Sequence, residues 1–177
     1  MKIKRYKDMG YLKERKLRKI WIVLLVMSVT LMAFAEGRYE FVKEFEQFSS
    51  KAYWDVNRYA IGYGTKAQTK YQVISKEEAT AYFDKEISNI ERRVKIRLDN
   101  YGIKYNDEML RAITSFEYNL GYQKKQWNRL KQGNLKAYAN NMISYNKVNG
   151  KVLNGLTKRR KAEKVLFLNG YNKIDKK

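Results

Sequence analysis

Ile20 to Ala35, IWIVLLVMSVTLMAFA, is a sixteen-residue run without a charge, and it divides the chain before any fold is considered. Nine basic and two acidic residues precede it. A basic flank followed by an apolar run is the layout of a secretory signal or signal anchor, with the basic end held in the cytoplasm. A core helix would keep one polar face, and this run is apolar all round. Ala33-Phe34-Ala35 has the small-x-small spacing of a signal peptidase site. Crossing a bilayer usually takes ~20 apolar residues, so the run is short for a stable anchor. Cleavage after Ala35 and retention as an N-terminal anchor both stay open. Residues 1–35 are therefore expected to be a signal peptide or signal anchor, and residues 36–177 the folded domain.

A single domain of that size needs no disulfide staple, and the 177-residue chain contains no cysteine. Thiol nucleophiles and Cys-based zinc sites are thereby excluded. Histidine is absent as well, which removes the commonest general base and every Ser-His or Cys-His mechanism. Any proton chemistry must come from Asp, Glu, Lys or Tyr. The net charge is +20, of which the residues before the apolar run supply +7, leaving +13 on the remainder. Such a surface suits an acidic partner: nucleic acid, anionic lipid or an anionic wall polymer. A genome rich in A and T raises Lys, Asn, Tyr and Ile together, so charge alone names no partner.

Periodicity organises the rest. Phe41, Val42, Phe45 and Phe48 recur at helical spacing, predicting a helix from Gly37 to Phe48. Ala52 to Gly64 is rich in Tyr, Val, Ile and Gly, with Asn57-Arg58 at a turn, and reads as a β-hairpin. Ser75 with Glu78 forms a capping box opening a helix through Leu98. Asn106 caps another, carrying Met109, Ile113, Phe116 and Leu120 and closing at Gly121. Shorter helices are expected at Lys124 to Lys131 and Leu135 to Tyr145, and a last one from Leu156 to Leu168, stopped near Gly170. Many helices with one small antiparallel hairpin near the N-terminal end make the fold class α+β.

Without His or Cys, the chemistry to look for is a pair of carboxylates on opposite sides of a cleft, the requirement of glycoside hydrolysis. Glu46 lies near the end of the first helix and Asp55 inside the hairpin. Glu44 and Glu46 flank the apolar stripe on opposite sides, and periodicity does not choose between them.

Four stretches, in order, resemble the phage-type lysozymes, glycoside hydrolase family 24. FVKEFEQFSSKAYWDVNRYAIGYGT is similar to the family's catalytic helix and hairpin, ISKEEATAYFDKEISNIERRV to its long connecting helix, LRAITSFEYNLG to its buried helix, and GKVLNGLTKRRKAEKVLFLNG to its C-terminal Arg-Arg helix. The resemblance implies a mostly helical, two-lobed lysozyme-like domain that cleaves the β-1,4 bond between N-acetylmuramic acid and N-acetylglucosamine in peptidoglycan. It implies Glu46 as general acid and Asp55 as the second carboxylate. It places Arg159 near the acid, against the alternative of a surface stripe formed by Arg159 and Arg160. Tyr118 and Asn119 match cleft-lining positions.

The chain departs from the family's pattern at four points. Gln47 stands where a Gly follows the acid, Asn57-Arg58 replaces a Gly turn, Ala60 replaces a water-orienting Thr, and Thr65 replaces a His. Thr65, Asn57 or Tyr63 are the candidates for the lost role at Ala60. A lysozyme-fold protein that binds peptidoglycan without cutting it is the competing reading. A nucleic-acid binder is the third, opposed by export and by the even spread of Tyr and Lys. The partners implied are peptidoglycan strands and anionic wall polymers, with membrane contact only through residues 20–35. A monomer is expected, and no metal or organic cofactor is implied.

Overall fold

The computed structural model describes residues 37–55 and 57–176, and Phe41–Lys177 forms one compact unit. The apolar run and the Ala33-Phe34-Ala35 pattern expected of a cleavage site lie outside the described residues. No described helix is long and apolar enough to cross a membrane.

Helix α1 (Glu40–Glu46) is shorter than its apolar spacing predicts. It stops because Gln47 sits at φ 55°, the left-handed conformation that ends a helix and is costly for any side chain but glycine's. The chain then enters β1 (Ser49–Asp55), which pairs antiparallel with β2 (Arg58–Gly62) so that Tyr53 faces Ala60, Trp54 faces Tyr59 and Asp55 faces Arg58. A third strand, β3 (Thr65–Lys66), pairs with the other side of β2. The expected hairpin is thus a three-stranded sheet. β2 is its central strand, which is why Ala60 and Ile61 are both fully buried instead of alternating.

The capping box at Ser75 and Glu78 is present, and it opens α2 (Lys76–Asn100). Its buried residues, Ala79, Phe83, Ile87, Ile90, Val94 and Leu98, fall three or four apart and form one continuous stripe. The N-terminal half packs on β2 and β3. The C-terminal half, from Ile90, joins the main core with Met109, Ile113 and Phe116 of α3 (Asp107–Leu120) and Trp127 and Leu130 of α4 (Lys124–Lys131). One helix therefore serves two cores, the physical basis of the two lobes.

α3 is the centre of the second lobe, buried almost continuously from Met109 to Glu117. Asn106 caps it by accepting from the Met109 N–H at 3.1 Å. Its buried Glu117 accepts from Arg97 Nη1 at 2.5 Å and from Trp127 Nε1, so the charge is matched where it is desolvated.

α5 (Leu135–Asn141) ends earlier than expected and tightens into a 3₁₀ turn over Met142–Ser144. A second small hairpin follows, β4 (Lys147–Val148) and β5 (Lys151–Val152), which the sequence reading did not anticipate. Its signal was Asn149-Gly150, both at positive φ as a tight hairpin turn requires. The last helix, α6 (Asn154–Asp175), begins before Leu156 and does not stop at Gly170. That glycine lies inside the helix because α6 crosses the start of α3 there. A Cβ at this position would sit 2.9 Å from the Met109 backbone nitrogen and collide with the Asn106 side chain, while the Gly170 carbonyl accepts from Asn106 Nδ2.

Gln47→Gly should raise the unfolding free energy by about 0.5–1 kcal/mol, the relief of the left-handed strain less the extra chain entropy of glycine. Urea denaturation at neutral pH measures it. A loss of stability would mean that the positive φ is not kept in solution.

Candidate active site

Glu46 is the last residue of α1. Its side chain is 15% exposed, and one carboxylate oxygen is held by Arg159 Nη1. The other lies against the β2–β3 turn, where a Cβ on Gly64 would stand 3.3 Å from Oε2. Gly64 also adopts φ +85°, so the backbone approaches the acid only because no side chain intervenes.

Asp55 ends β1 with its side chain exposed, opposite Arg58. The two carboxylates meet electrostatically at Tyr53. Burial pushes the phenol's pKa up, and the charges of Asp55 and then Glu46 push it further, against the pull of Arg58. Tyr53 thus stays protonated at neutral pH under the influence of an acid from the helix end and an acid from the strand end. Arg58 reaches across the hairpin and donates to the Gly64 carbonyl at 3.2 Å. Glu86 of α2 belongs to the same surroundings: burial raises its pKa, Arg58 lowers it and Glu46 raises it.

Arg159 is 2% exposed and Arg160 wholly buried, so neither belongs to a surface stripe. Arg159 commits every nitrogen of its guanidinium: Nη1 to Glu46, Nε to Glu163 Oε1 at 3.1 Å, and Nη2 to the Ser115 carbonyl at 3.2 Å. It fastens the end of α1 to α3 and α6. A planar fork with five donors can do this, and a lysine could not.

The other residues singled out from the sequence are distributed unevenly. Tyr63 is 6% exposed, its ring packed against Phe48 and Phe83 at centroid distances of 5.7 and 5.8 Å. That ring is packed among core aromatic groups. The buried Thr65 hydroxyl donates to the Ile61 carbonyl at 3.0 Å. Tyr118 donates from its hydroxyl to the Tyr63 carbonyl at 2.7 Å and packs its ring 5.2 Å from Phe83, tying α3 to the sheet. Asn119 accepts from Arg160 Nη2 at 2.8 Å. Sequence reading missed Tyr53, Arg58, Glu86 and Glu163. For Glu163 the signal was its spacing, three and four residues after the two arginines on one helix.

The comparisons with known proteins agree with this architecture. The family model described as Phage lysozyme matches residues 43–163. The chain belongs to the phage lysozyme family. A curated relative, the endolysin of Bacillus phage B103, is 33% identical over 151 residues, 80% of this chain. The chain spans only 56% of that relative's length. Among solved structures, the endolysin from Escherichia coli O157:H7 phage FAHEc1 is 26% identical with a TM-score of 0.60, covering 75% of this chain and 90% of that one. The muramidase domain of SpmX from Asticaccaulis excentricus is 25% identical with a TM-score of 0.62, covering 75% and 95%. The active form of the P1 phage endolysin Lyz, 20% identical with a TM-score of 0.62, covers 81% and 92% and agrees in fold.

Tyr118 of this chain is partly buried, and this gives stability a pH dependence. Burial, then Glu86 and Glu46, push the phenol far above its ordinary 10.0. A raised folded-state pKa means that the stabilisation is complete below pH 10 and declines as pH rises above it, because the unfolded chain then releases the proton and the folded one does not. Tyr118→Phe should reduce the fall in unfolding free energy above pH 10 by about 1.4 kcal/mol per pH unit. Urea titrations between pH 9 and 11 check it, and parallel slopes for the two proteins would contradict it.

Proposed function

We propose that this chain hydrolyses peptidoglycan, cutting the β-1,4 bond between N-acetylmuramic acid and N-acetylglucosamine by paired-carboxylate catalysis. The observation that carries the reading is the Glu46 carboxylate at a helix end, gripped by the buried Arg159, with the exposed Asp55 at the end of the adjoining strand β1. The relatives, two endolysins and a muramidase domain, support the same class of chemistry.

In this mechanism protonated Glu46 gives its proton to the glycosidic oxygen, and ionised Asp55 stabilises the positive charge growing on the anomeric carbon and helps orient a water. An inverting reaction needs room for that water, with carboxyl groups ~6.5–9.5 Å apart. Once Glu46 has lost its proton, Arg159 stabilises the carboxylate that remains. Asn119 and Tyr118 are the candidates for contacts beside the acid, and Thr65 for a contact beyond the turn. The leader before residue 36 carries the chain across the cytoplasmic membrane, either released or still anchored by residues 20–35. The +13 of the remainder concentrates it on anionic wall polymers, so adsorption weakens with salt.

One observation favours a second reading, a lysozyme-fold binder of peptidoglycan with little or no turnover. Ala60 has no hydroxyl to hold the attacking water, a loss that costs ~10² or more in rate if nothing substitutes. Tyr53 faces Ala60 across the β1–β2 ladder, and its phenol feels the charges of both Asp55 and Glu46. This favours activity.

A peptidoglycan zymogram separates the two. Glu46→Gln and Asp55→Asn should each reduce clearing by at least about a hundredfold while retaining adsorption to walls. Clearing equal to wild type by Glu46→Gln defeats the hydrolase. Adsorption with no clearing by any of the three proteins establishes the binder.

A further inference from the structure

We infer that Glu163 is a buried positioning residue that holds both the Glu46 carboxyl and the Asn119 amide in place, through Arg159 and Arg160 respectively. Glu163 is fully buried on α6. Its Oε1 accepts from Arg159 Nε at 3.1 Å and from Ser115 Oγ at 2.6 Å, and its Oε2 lies 3.2 Å from Arg160 Nε. Each arginine then reaches outward to one residue at the rim: Arg159 to the Glu46 carboxylate, Arg160 to the Asn119 carbonyl oxygen.

The charge balance explains why a carboxylate is needed at the root. Two guanidinium groups are buried side by side, and one buried carboxylate neutralises only one of them. The second negative charge comes from Glu46, at the edge of solvent. Glu46 is therefore both the acid at the surface and the outer member of a four-charge cluster. When it holds its proton, the buried part keeps one uncompensated positive charge, so Glu163 sets how strongly Arg159 draws on Glu46. Arg160 is the less comfortable partner. Burial pulls its pKa down to about 10, and its Nη1 has no hydrogen-bond partner among the described residues. Its Nη2 nonetheless takes the carbonyl end of Asn119, leaving the amide nitrogen as the donor end for a ligand.

The other groups that interact electrostatically with Glu46 are Tyr53 from β1, Glu86 from α2 and Tyr118 from α3, and Asp55 and Arg58 act in turn on these. None of these changes in the two variants that separate a positioning role from a purely structural one. In Glu163→Gln the amide oxygen keeps the bonds to Arg159 and Ser115, the charge disappears, and an NH₂ faces Arg160. Arg159 then acts undivided on Glu46. In Arg160→Met a cation is removed instead, Glu163 belongs to Arg159 alone, and Asn119 loses its partner.

The test follows the Glu46 carboxyl by ¹³C NMR titration in the full chain, alongside the pH profile of wall hydrolysis. The titration midpoint should move down by roughly one pH unit in Glu163→Gln and up in Arg160→Met. The alkaline limb of activity should move the same way, and KM should rise several-fold in Arg160→Met. Midpoints unmoved in both variants, whatever the change in melting temperature, overturn the inference. If Glu163→Gln does not fold, the upward shift in Arg160→Met decides alone. The inference rests on Glu46 being the acid of the proposed reaction, but the NMR midpoint needs no turnover. An inactive wild type would sink the hydrolase and leave this measurement valid.

Discussion

The guanidinium of Arg159 is the constraint on which the site depends. It is almost wholly buried, and it reaches α6, the backbone of α3 and the last residue of α1 at once. A buried cation is costly unless it is paired and hydrogen-bonded, and the end of α1, by delivering Glu46, completes the set of partners that Glu163 and the Ser115 carbonyl begin. The same contact that satisfies the arginine fixes the carboxylate of the proposed acid. The position of that acid is thus set by one interaction.

The fold around it makes this possible by letting single elements serve two purposes. α2 supplies one stripe to two cores, which keeps the sheet and the C-terminal helices in a fixed relation without a separate linker. α3 is deeply buried, and several of its polar side chains bond outward to other elements: Glu117 to Arg97 and Trp127, Ser115 to Glu163, Tyr118 to the sheet. Glycine appears where backbones or groups come closest, at Gly64 beside the acid and at Gly170 where α6 crosses α3. On the strand side, the antiparallel register puts Asp55, Tyr53 and Arg58 together at one end of the β1–β2 ladder.

Much of the fold was legible in the sequence because its signals are local. The Ser75–Glu78 capping box and the Asn106 cap fixed two helix starts, and the apolar spacing of α2 carried its register. Less local features were not legible. α1 ends at Glu46 because of the left-handed Gln47, and a glutamine does not announce that conformation. Gly170 reads as a helix stop, yet it is a crossing point, since only the tertiary contact with Asn106 and Met109 distinguishes the two. The Asn149-Gly150 hairpin was readable and was missed. In the site, spacing alone left Glu44 and Glu46 equivalent, and the resemblance of four motifs chose Glu46. Glu163 escaped because an ion pair at helical spacing looks identical whether it faces water or is buried. The packing of the Tyr63 ring against Phe48 and Phe83 likewise depends on partners distant in sequence.

The central claim is that a protonated carboxyl and an ionised one cooperate to put water onto a muramyl carbon. The most direct measurement digests purified peptidoglycan with the full-length chain in H₂¹⁸O and analyses the released fragments by mass spectrometry. The account requires reducing-end N-acetylmuramic acid carrying one ¹⁸O. Anhydro-muramic ends, or label at reducing-end N-acetylglucosamine, would contradict it.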